Sequence, residues 1–388
     1  MYRLLILSVF ISTTACKEIH HSIVLSKDLP QLLPAGIEVD GIDSSATYLL
    51  IHEPSGSTFV TQWSEGRLIF LPSISMKTGE VLRVTKSELS PPPQMNIVIT
   101  DSLLEVVSDT SQILRYHLAI SQPPDTLPSY FQRSGFIHPL FSPKGEILTA
   151  DFPRGHAHQH GIFHAFVNTK FRGKEVDFWN QAKEQGTVRH KDVLMAKAGP
   201  LFTRLKLQLE QVAFVDEDTV VVLREGWGLD VFDLGDYYLI DFEIGISCPY
   251  DDSLLVDLYH YGGLAFRGND EWNAGESAYD SLVFFITSEG KSQVEANHTQ
   301  PRWVAMFGDL GEEQAGVAMM GHRDNFRHPQ PVRIHPSMPY FCFTPMVQGP
   351  YTIRNDEVHS NRYRLLAYDG QPDPAFLEKA WMTFSGDN

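Results

Sequence analysis

The sequence has few cysteines and lacks long apolar runs. Only Cys16, Cys248 and Cys342 occur among 388 residues, which is too few for a disulfide framework. Beyond the N-terminus, no segment approaches the roughly 20 consecutive apolar residues that a membrane helix needs. We therefore expect a body without transmembrane helices, in which Cys248 and Cys342 are buried thiols; a single bridge between them is the alternative.

Positive charge is also scarce. The chain has 31 Lys and Arg against 48 Asp and Glu, which gives a formal net charge of −17. Such a surface repels nucleic-acid phosphate and anionic lipid headgroups, so neither is expected as the main partner. With 43% hydrophobic and 20% charged residues, the chain can nevertheless bury a sizeable core.

Several catalytic and binding signatures are missing. The sequence contains no P-loop, no G-x-G-x-x-G after a strand, no H-E-x-x-H, no G-x-S-x-G and no paired C-x-x-C. These absences disfavour nucleotide-dependent enzymes, zincin proteases, serine esterases and zinc-ribbon modules.

The first fifteen residues have the order of a secretory signal. Arg3 precedes an apolar run over residues 4–11, and small residues follow up to Ala15. A small residue directly before Cys16 resembles the lipobox of bacterial lipoproteins; a plain signal peptide with an incidental Cys16 is the alternative. We expect removal of residues 1–15 and export to the periplasm or cell surface, with membrane contact only through a lipid on Cys16.

The rest of the chain has the pattern of strands joined by turns. Short apolar or alternating runs recur throughout, separated by Pro, Gly, Asp and Asn, which is typical of antiparallel all-β proteins. Over residues 237–246, apolar side chains alternate with partly polar ones, as in a sandwich strand. The stiff segment 90–94 separates a predicted small β module, residues 20–89, from a predicted large antiparallel β-sandwich, residues 95–388.

One short helix is predicted at the C-terminus. Asp373 can cap it, and Pro374 suits its first position. An apolar stripe follows, formed by Phe376, Leu377, Ala380 and Trp381.

Histidines are concentrated in one region. Six of the 16 fall between positions 138 and 190: His138, His156, His158, His160, His164 and His190. The densest segment, residues 155–161, reads GHAHQHG, and in either a strand or a helix at least two of its imidazoles share a face.

Three interpretations of the cluster remain open. The first is a site for a divalent transition metal with His156, His158 and His160 as ligands, completed by His138, Asp177 or His322. The second is metal-free acid/base chemistry on a polar organic substrate. The third is structural, with the rings hydrogen-bonded to backbone and carboxylates.

Two later segments have the composition of ligand-binding loops. Residues 257–267 place a glycine pair between Tyr261 and Arg267, which suits close backbone approach and ring stacking. Residues 321–329 combine His322, Arg327 and His328 with further polar groups, which suits an anion or a hydroxyl-rich ligand. A bulged strand and a solvated loop are the respective structural alternatives.

Several of these segments, in this order, resemble a bacterial family that carries the label PmoA, or "methane oxygenase". The resemblance covers about residues 130–385 and rests on segments 138–145, 156–163, 176–179, 186–190, 261–264, 316–322 and 325–329. The label names a membrane enzyme, whereas this chain has no apolar segment after its signal that could span a bilayer. The resemblance implies an exported β-sandwich, similar to the large galactose-mutarotase-like sandwiches and associated with sugar degradation.

Together these observations favour an enzyme that acts on a carbohydrate or glycoside by epimerisation, elimination or hydrolysis. We expect acid/base catalysis by His138, His158 and His322, with Asp177 orienting a histidine. Substrate contacts are expected from a second group of residues: Trp179 and Tyr261 by stacking, and Arg267, Arg327 and His328 by polar contacts. The alternatives are a metal-dependent oxygenase or hydrolase and a non-catalytic glycan-binding lipoprotein. The expected partner is therefore a small molecule or an oligosaccharide.

Overall fold

A computed structural model describes residues 21–108, 111–215, 218–273 and 282–386. The predicted signal segment 1–15 and Cys16 lie outside these residues. Strands make up 50% of the described residues and helices 8%, so the predicted all-β class is confirmed. Within the described ranges, no helix is both long and apolar enough to cross a bilayer.

The N-terminal residues form a six-stranded antiparallel sheet with its own core. The core contains Leu50, Phe70 and Leu82, all fully buried. Alternate residues of each strand face it, as the period of two requires. The strands follow the spatial order β1-β6-β3-β4-β5-β2 and are β1 (His21–Val24), β2 (Ala35–Glu38), β3 (Thr47–His52), β4 (Thr58–Ser64), β5 (Arg67–Phe70) and β6 (Val81–Ser87).

The main body contains twenty further strands and two α-helices in the described residues. The helices are α1 (Gln293–Ala296) and α2 (Pro374–Ser385). The strands are β7 (Met95–Ile99), β8 (Leu103–Ser108), β9 (Gln112–His117), β10 (Ile137–Leu140), β11 (Ile162–Ala165), β12 (Thr169–Phe171), β13 (Lys174–Val176), β14 (Gly186–Lys197), β15 (Phe202–Val215), β16 (Asp218–Asp233), β17 (Tyr237–Ser247), β18 (Leu254–Val256), β19 (Gly263–Arg267), β20 (Val283–Thr287), β21 (Trp303–Leu310), β22 (Glu313–Gly321), β23 (Val332–Ile334), β24 (Tyr340–Phe343), β25 (Tyr351–Ile353) and β26 (His359–Asp369).

Two eight-stranded antiparallel sheets form the sandwich. The site sheet has the order β23-β24-β19-β11-β10-β9-β8-β7, and the back sheet has the order β14-β15-β16-β17-β26-β22-β21-β20. A four-stranded sheet, β13-β12-β18-β25, adjoins them. Apolar side chains of both large sheets share one core, to which β17 contributes Tyr238, Ile240, Phe242, Ile244 and Ile246. These residues are the apolar face predicted from alternation.

The outer face of the back sheet is covered by helix α2. The Asp373 carboxylate accepts hydrogen bonds from the N–H groups of Ala375 and Phe376 and so caps the helix. Leu377 and Trp381 pack into a second core against the sheet, which confirms the predicted C-terminal helix. Cys248 and Cys342 are buried and free.

Candidate functional site

The histidine-rich segment forms a loop between β10 and β11. Asp151 and His160 form an antiparallel bridge at its base. Gly161 has φ +49°, and a Cβ placed there would lie 2.1 Å from the Ile137 carbonyl oxygen. Only glycine fits this position, which lets the end of the loop pack directly against the site sheet.

His160 stabilises the base of this loop. Its ring is fully buried, with Nδ1 2.6 Å from an Asp151 carboxylate oxygen and Nε2 3.1 Å from Gln181 Oε1. Burial opposes ionisation of Asp151, but the charge and hydrogen bond of His160 lower the pKa of that carboxyl overall. Both ring nitrogens therefore have partners.

His156 and His158 differ from their neighbours because neither ring makes a hydrogen bond to the described part of the chain. Both line a pocket of about 180 Å³, and their ring centroids lie 5.6 Å apart. Burial, followed by the nearby His156, His160 and Arg267, lowers the pKa of His158 to about 3. Burial and Arg267 lower the pKa of His156, so both rings are neutral at pH 7.

The two imidazoles share their pocket with three aromatic side chains, which we call the aromatic wall. Trp179, Tyr259 and Tyr261 line the same pocket, and the ring centroid of Tyr261 lies 6.2 Å from those of both Trp179 and Tyr259. Tyr261 is placed by the glycine pair that follows it. A Cβ on Gly263, whose φ is +89°, would lie 2.3 Å from the Phe343 carbonyl oxygen.

Asp177 organises the turn that carries Trp179 and has no hydrogen bond or ion pair with a histidine of the described residues. Its Oδ1 accepts hydrogen bonds from the N–H groups of Trp179 at 2.9 Å and Asn180 at 2.8 Å. Its Oδ2 lies 2.8 Å from Lys183 Nζ. The expectation that Asp177 orients a histidine is therefore replaced by a role in shaping the turn that carries Trp179.

Arg267 lies beneath the histidine loop, and no part of it is exposed. It donates to Gln159 Oε1 at 3.2 Å and Asn273 Oδ1 at 2.7 Å, and its charge is balanced by Asp270 at 3.3 Å. Burial lowers its pKa. The structure thus places Arg267 behind the pocket, where it cannot touch a substrate directly.

His138 is close to the loop but outside the pocket lining. Its Nδ1 lies 3.0 Å from Thr149 Oγ1, and that oxygen already accepts from Leu140 N–H. The Thr149 hydroxyl keeps one hydrogen and a second lone pair, so it can pair with either neutral tautomer of His138. Burial lowers the pKa of His138 to about 4.

The structure does not bring segment 321–329 to this pocket. His322 Nδ1 is 3.0 Å from Arg362 Nη2, and its ring packs edge-on against Phe384 of helix α2. The His328 ring lies parallel to Trp381 of the same helix. Arg327 donates to the carbonyl oxygens of Pro345, Gly349 and Pro350. None of the three residues lines the histidine pocket, so their expected catalytic and substrate roles stay predictions that this pocket does not support.

The proposed metal ligands do not converge either. In the described ranges, no three His, Cys, Asp or Glu side chains are placed to hold one metal ion. His160 cannot join His156 and His158 as a ligand in this arrangement, because Asp151 and Gln181 occupy both of its nitrogens.

Other pocket residues were missed in the sequence. Tyr259, Asn180 and Lys183 line the pocket, and His335 contacts it through a 5.8 Å ring-to-ring distance to His156. Tyr259 stands two residues before Tyr261 in a segment already noted for its aromatics. His335 is nearly 180 residues from His156, and no local pattern connects them.

Three larger clefts occur elsewhere in the described residues, and no histidine lines any of these three. One of about 770 Å³ lies between residues 26–33 and helix α2, and one of about 550 Å³ lies beside Pro91 and Pro93. A third, of about 260 Å³, is lined by ion pairs that include Arg204–Asp230 and Arg364–Asp241. The small histidine pocket therefore has the chemistry best suited to a reaction.

No curated protein matches the chain. Three solved structures share only 8–10% identity with it. A galactose mutarotase related enzyme from Lactobacillus acidophilus has a TM-score of 0.32, with coverage of 71% of this chain and 97% of the other. An alpha-galactosidase from Geobacillus stearothermophilus has a TM-score of 0.31, with coverage of 73% and 41%. A protein in glycosyl hydrolase family 38 from Enterococcus faecalis has a TM-score of 0.32, with coverage of 93% and 45%.

This chain thus spans less than half the length of the last two proteins, and similarities this weak assign no activity to it. The resemblance to PmoA-labelled sequences stays a prediction. Residues 104–382, most of the chain, match the profile of a family of unknown function, DUF6807. The chain belongs to this DUF6807 family.

Proposed function

We propose that this protein is a carbohydrate-active enzyme that binds one sugar residue in the pocket and exchanges a proton with it through His158. The observation that carries the proposal is the pair His156 and His158. Their rings lie in a pocket without hydrogen-bond partners among the described residues, opposite an aromatic wall. The structural histidines His160 and His164 have such partners.

The pocket suits a small ring with many hydroxyl groups. A sugar has an apolar C–H face that can stack on Tyr261 or Trp179. Its hydroxyl groups can hydrogen-bond to imidazole nitrogens, Asn180 and Lys183. The volume of about 180 Å³ lies below the roughly 300–1,000 Å³ of pockets for drug-sized ligands, which favours a single residue over a long chain.

The neutral state of His158 determines its chemical role. A neutral imidazole has one lone pair and one N–H, so it can accept a proton from one substrate atom and donate a hydrogen bond to another. The adjacent Lys183 ammonium can stabilise the negative charge left on the substrate. Such a proton transfer fits epimerisation, elimination or hydrolysis. We also propose that the protein is exported and that the reaction takes place outside the cytoplasm.

The test is a turnover assay in which purified protein is incubated with a panel of free sugars, methyl glycosides and uronic acids. NMR monitors the conversion of each compound. His158→Ala should lower turnover at least about 100-fold while the melting temperature changes by only a few degrees. His359→Ala, on β26 and outside the pocket lining, is the matched control and should keep full activity. Unchanged turnover in His158→Ala would overturn the assignment of His158.

A second candidate function is sugar binding without turnover. It is favoured by the pKa of about 3 for His158, because a base this weak is far from the optimum for proton transfer at neutral pH. Calorimetric binding of a sugar that no assay shows to be transformed, together with loss of binding in Tyr261→Ala, would support this candidate over the enzyme.

A further inference from the structure

The guanidinium group of Arg333 lies beside the aromatic wall. The guanidinium carbon of Arg333 lies 5.2 Å from the Tyr261 ring centroid, and Nη2 lies 3.4 Å from the Tyr261 hydroxyl. Nη1 donates to Asn297 Oδ1 at 3.0 Å and to the Ile334 carbonyl oxygen at 3.4 Å. Because a guanidinium has five N–H donors, two remain unused, and one of these is on the buried Nε.

No carboxylate balances Arg333 in the described part of the chain, since all three of its acceptors are neutral. Neighbouring cations, in contrast, each form an ion pair with a carboxylate. Lys183 pairs with Asp177, Lys170 with Asp257 and Arg172 with Asp252. An unpaired guanidinium is unusual in a chain with a net charge of −17, and it creates a local positive potential beside the pocket.

Three histidines surround this guanidinium. After burial, Arg333 is the main cause that lowers the pKa values of His260, His298 and His335. No carboxylate of the described residues contributes to any of the three shifts. Ser337 N–H lies 3.2 Å from His335 Nδ1, so a neutral His335 carries its proton on Nε2 and can donate from there.

We propose that the substrate of this site is a sugar acid, and that its carboxylate is held by Arg333 and His335 while its ring stacks on Tyr261. This inference rests on the proposed function, because it names the class of sugar that the pocket takes. A planar carboxylate can accept two parallel N–H groups from one guanidinium, which combines affinity with a fixed orientation. The substrate carboxylate would balance the charge of Arg333, which no carboxylate of the described residues pairs with.

The experiment measures binding by calorimetry at pH 7 and low salt. The probes are D-glucuronate and D-galacturonate, each beside its neutral counterpart, D-glucose or D-galactose, with acetate and glucose 6-phosphate as further arms. At least one uronate should bind about tenfold more tightly than its neutral counterpart. The preference should shrink in 0.5 M salt because exposed charges are screened.

Arg333→Gln should abolish the preference for the acid by weakening uronate binding far more than neutral-sugar binding, whereas Arg333→Lys should keep part of the preference. Arg67→Gln removes the same charge from the N-terminal sheet and should change nothing. If Arg333→Gln lowers the melting temperature strongly, His335→Asn, which lacks the Nε2 donor, provides the second test and should weaken uronate binding severalfold.

Each other outcome is decisive. Neutral sugars that bind as tightly as uronates would overturn this inference and leave the proposed function standing. No binding of any sugar would overturn both. Tighter binding of glucose 6-phosphate than of either uronate would overturn the carboxylate assignment, and acetate binding as tight as uronate binding would show that the ring is not recognised.

Discussion

At the scale of single residues, the contacts of each imidazole separate structural histidines from candidate functional ones. Gln181 Nε2 donates to the carbonyl oxygens of Phe131 and Gln132, so its Oε1 must face His160 Nε2 as an acceptor. Nδ1 of the same ring faces the Asp151 carboxylate. Both nitrogens of the buried His160 ring therefore have partners, and Nδ1 pairs with the Asp151 carboxylate, whereas His156 and His158 have no such partners among the described residues.

This difference predicts unequal costs of substitution. His160→Ala leaves the Asp151 carboxylate without its main partner, and breaking a buried pair costs about 3 kcal/mol of unfolding free energy. His156→Ala removes a half-buried ring that makes no hydrogen bond to the described residues, so it should cost at most about 1 kcal/mol. Urea denaturation at pH 7 measures both values. Equal losses in the two variants would contradict the ion pair at His160.

At the scale of elements, the histidine loop is positioned from below by the site sheet. Arg267 N–H donates to the Gly161 carbonyl oxygen at 2.7 Å, and Gly161 N–H donates to the Ala150 carbonyl oxygen at 2.7 Å. The Arg267 side chain also reaches Gln159 inside the loop. The Arg267 carbonyl oxygen accepts from Ala150 N–H at 3.2 Å, so β19 supports both ends of the segment that carries His156 and His158.

Two glycines of this loop form a matched pair for a test. Both have positive φ, but a Cβ on Gly161 would strike the Ile137 carbonyl oxygen, whereas a Cβ on Gly155 would meet nothing within 4 Å. Gly161→Ala should cost about 3 kcal/mol, from backbone strain plus the clash. Gly155→Ala should cost about 1 kcal/mol, from strain alone. Chemical denaturation distinguishes them, and a Gly161→Ala variant as stable as Gly155→Ala would disprove the close packing.

At the scale of the whole molecule, the sequence was sufficient for the fold class and for part of the site. Alternation in β17 and the cap at Asp373 are local signals, and both appear in the structure as predicted. His156 and His158 are two residues apart, so their convergence was also a local property.

Long-range placement was not predictable from the same patterns. His322 was grouped with His158 by composition, but β22 belongs to the back sheet and places His322 beside helix α2. Arg333 meets Tyr261 because β24 pairs with both β19 and β23. The order of strands in a large sheet depends on pairing between segments that are distant in sequence. No residue near Arg333 or His322 in the sequence indicates that order.

Four neutral histidines, three of them partly buried and one buried, predict that the whole protein loses stability in mild acid. Burial lowers the pKa values of His138, His322 and His335 to about 4 and that of His158 to about 3. In the unfolded chain, a histidine binds its proton near pH 6.5. Below that pH the unfolded state therefore holds more protons than the folded state, and stability falls as the pH decreases towards the folded-state values.

The stability these histidines contribute is fully present above about pH 6.5, and each adds a slope of up to about 1.4 kcal/mol per pH unit between pH 6.5 and 4. Urea denaturation at pH 7.5, 6.5, 5.5 and 5.0 should show this decline before the carboxylates titrate. His138→Asn keeps an acceptor for Thr149 and removes one titrating ring, so its slope should be smaller than that of the wild type. A free energy of unfolding that stays constant from pH 6.5 to 5.0 would show that these rings take up protons in the folded state as readily as in the unfolded chain.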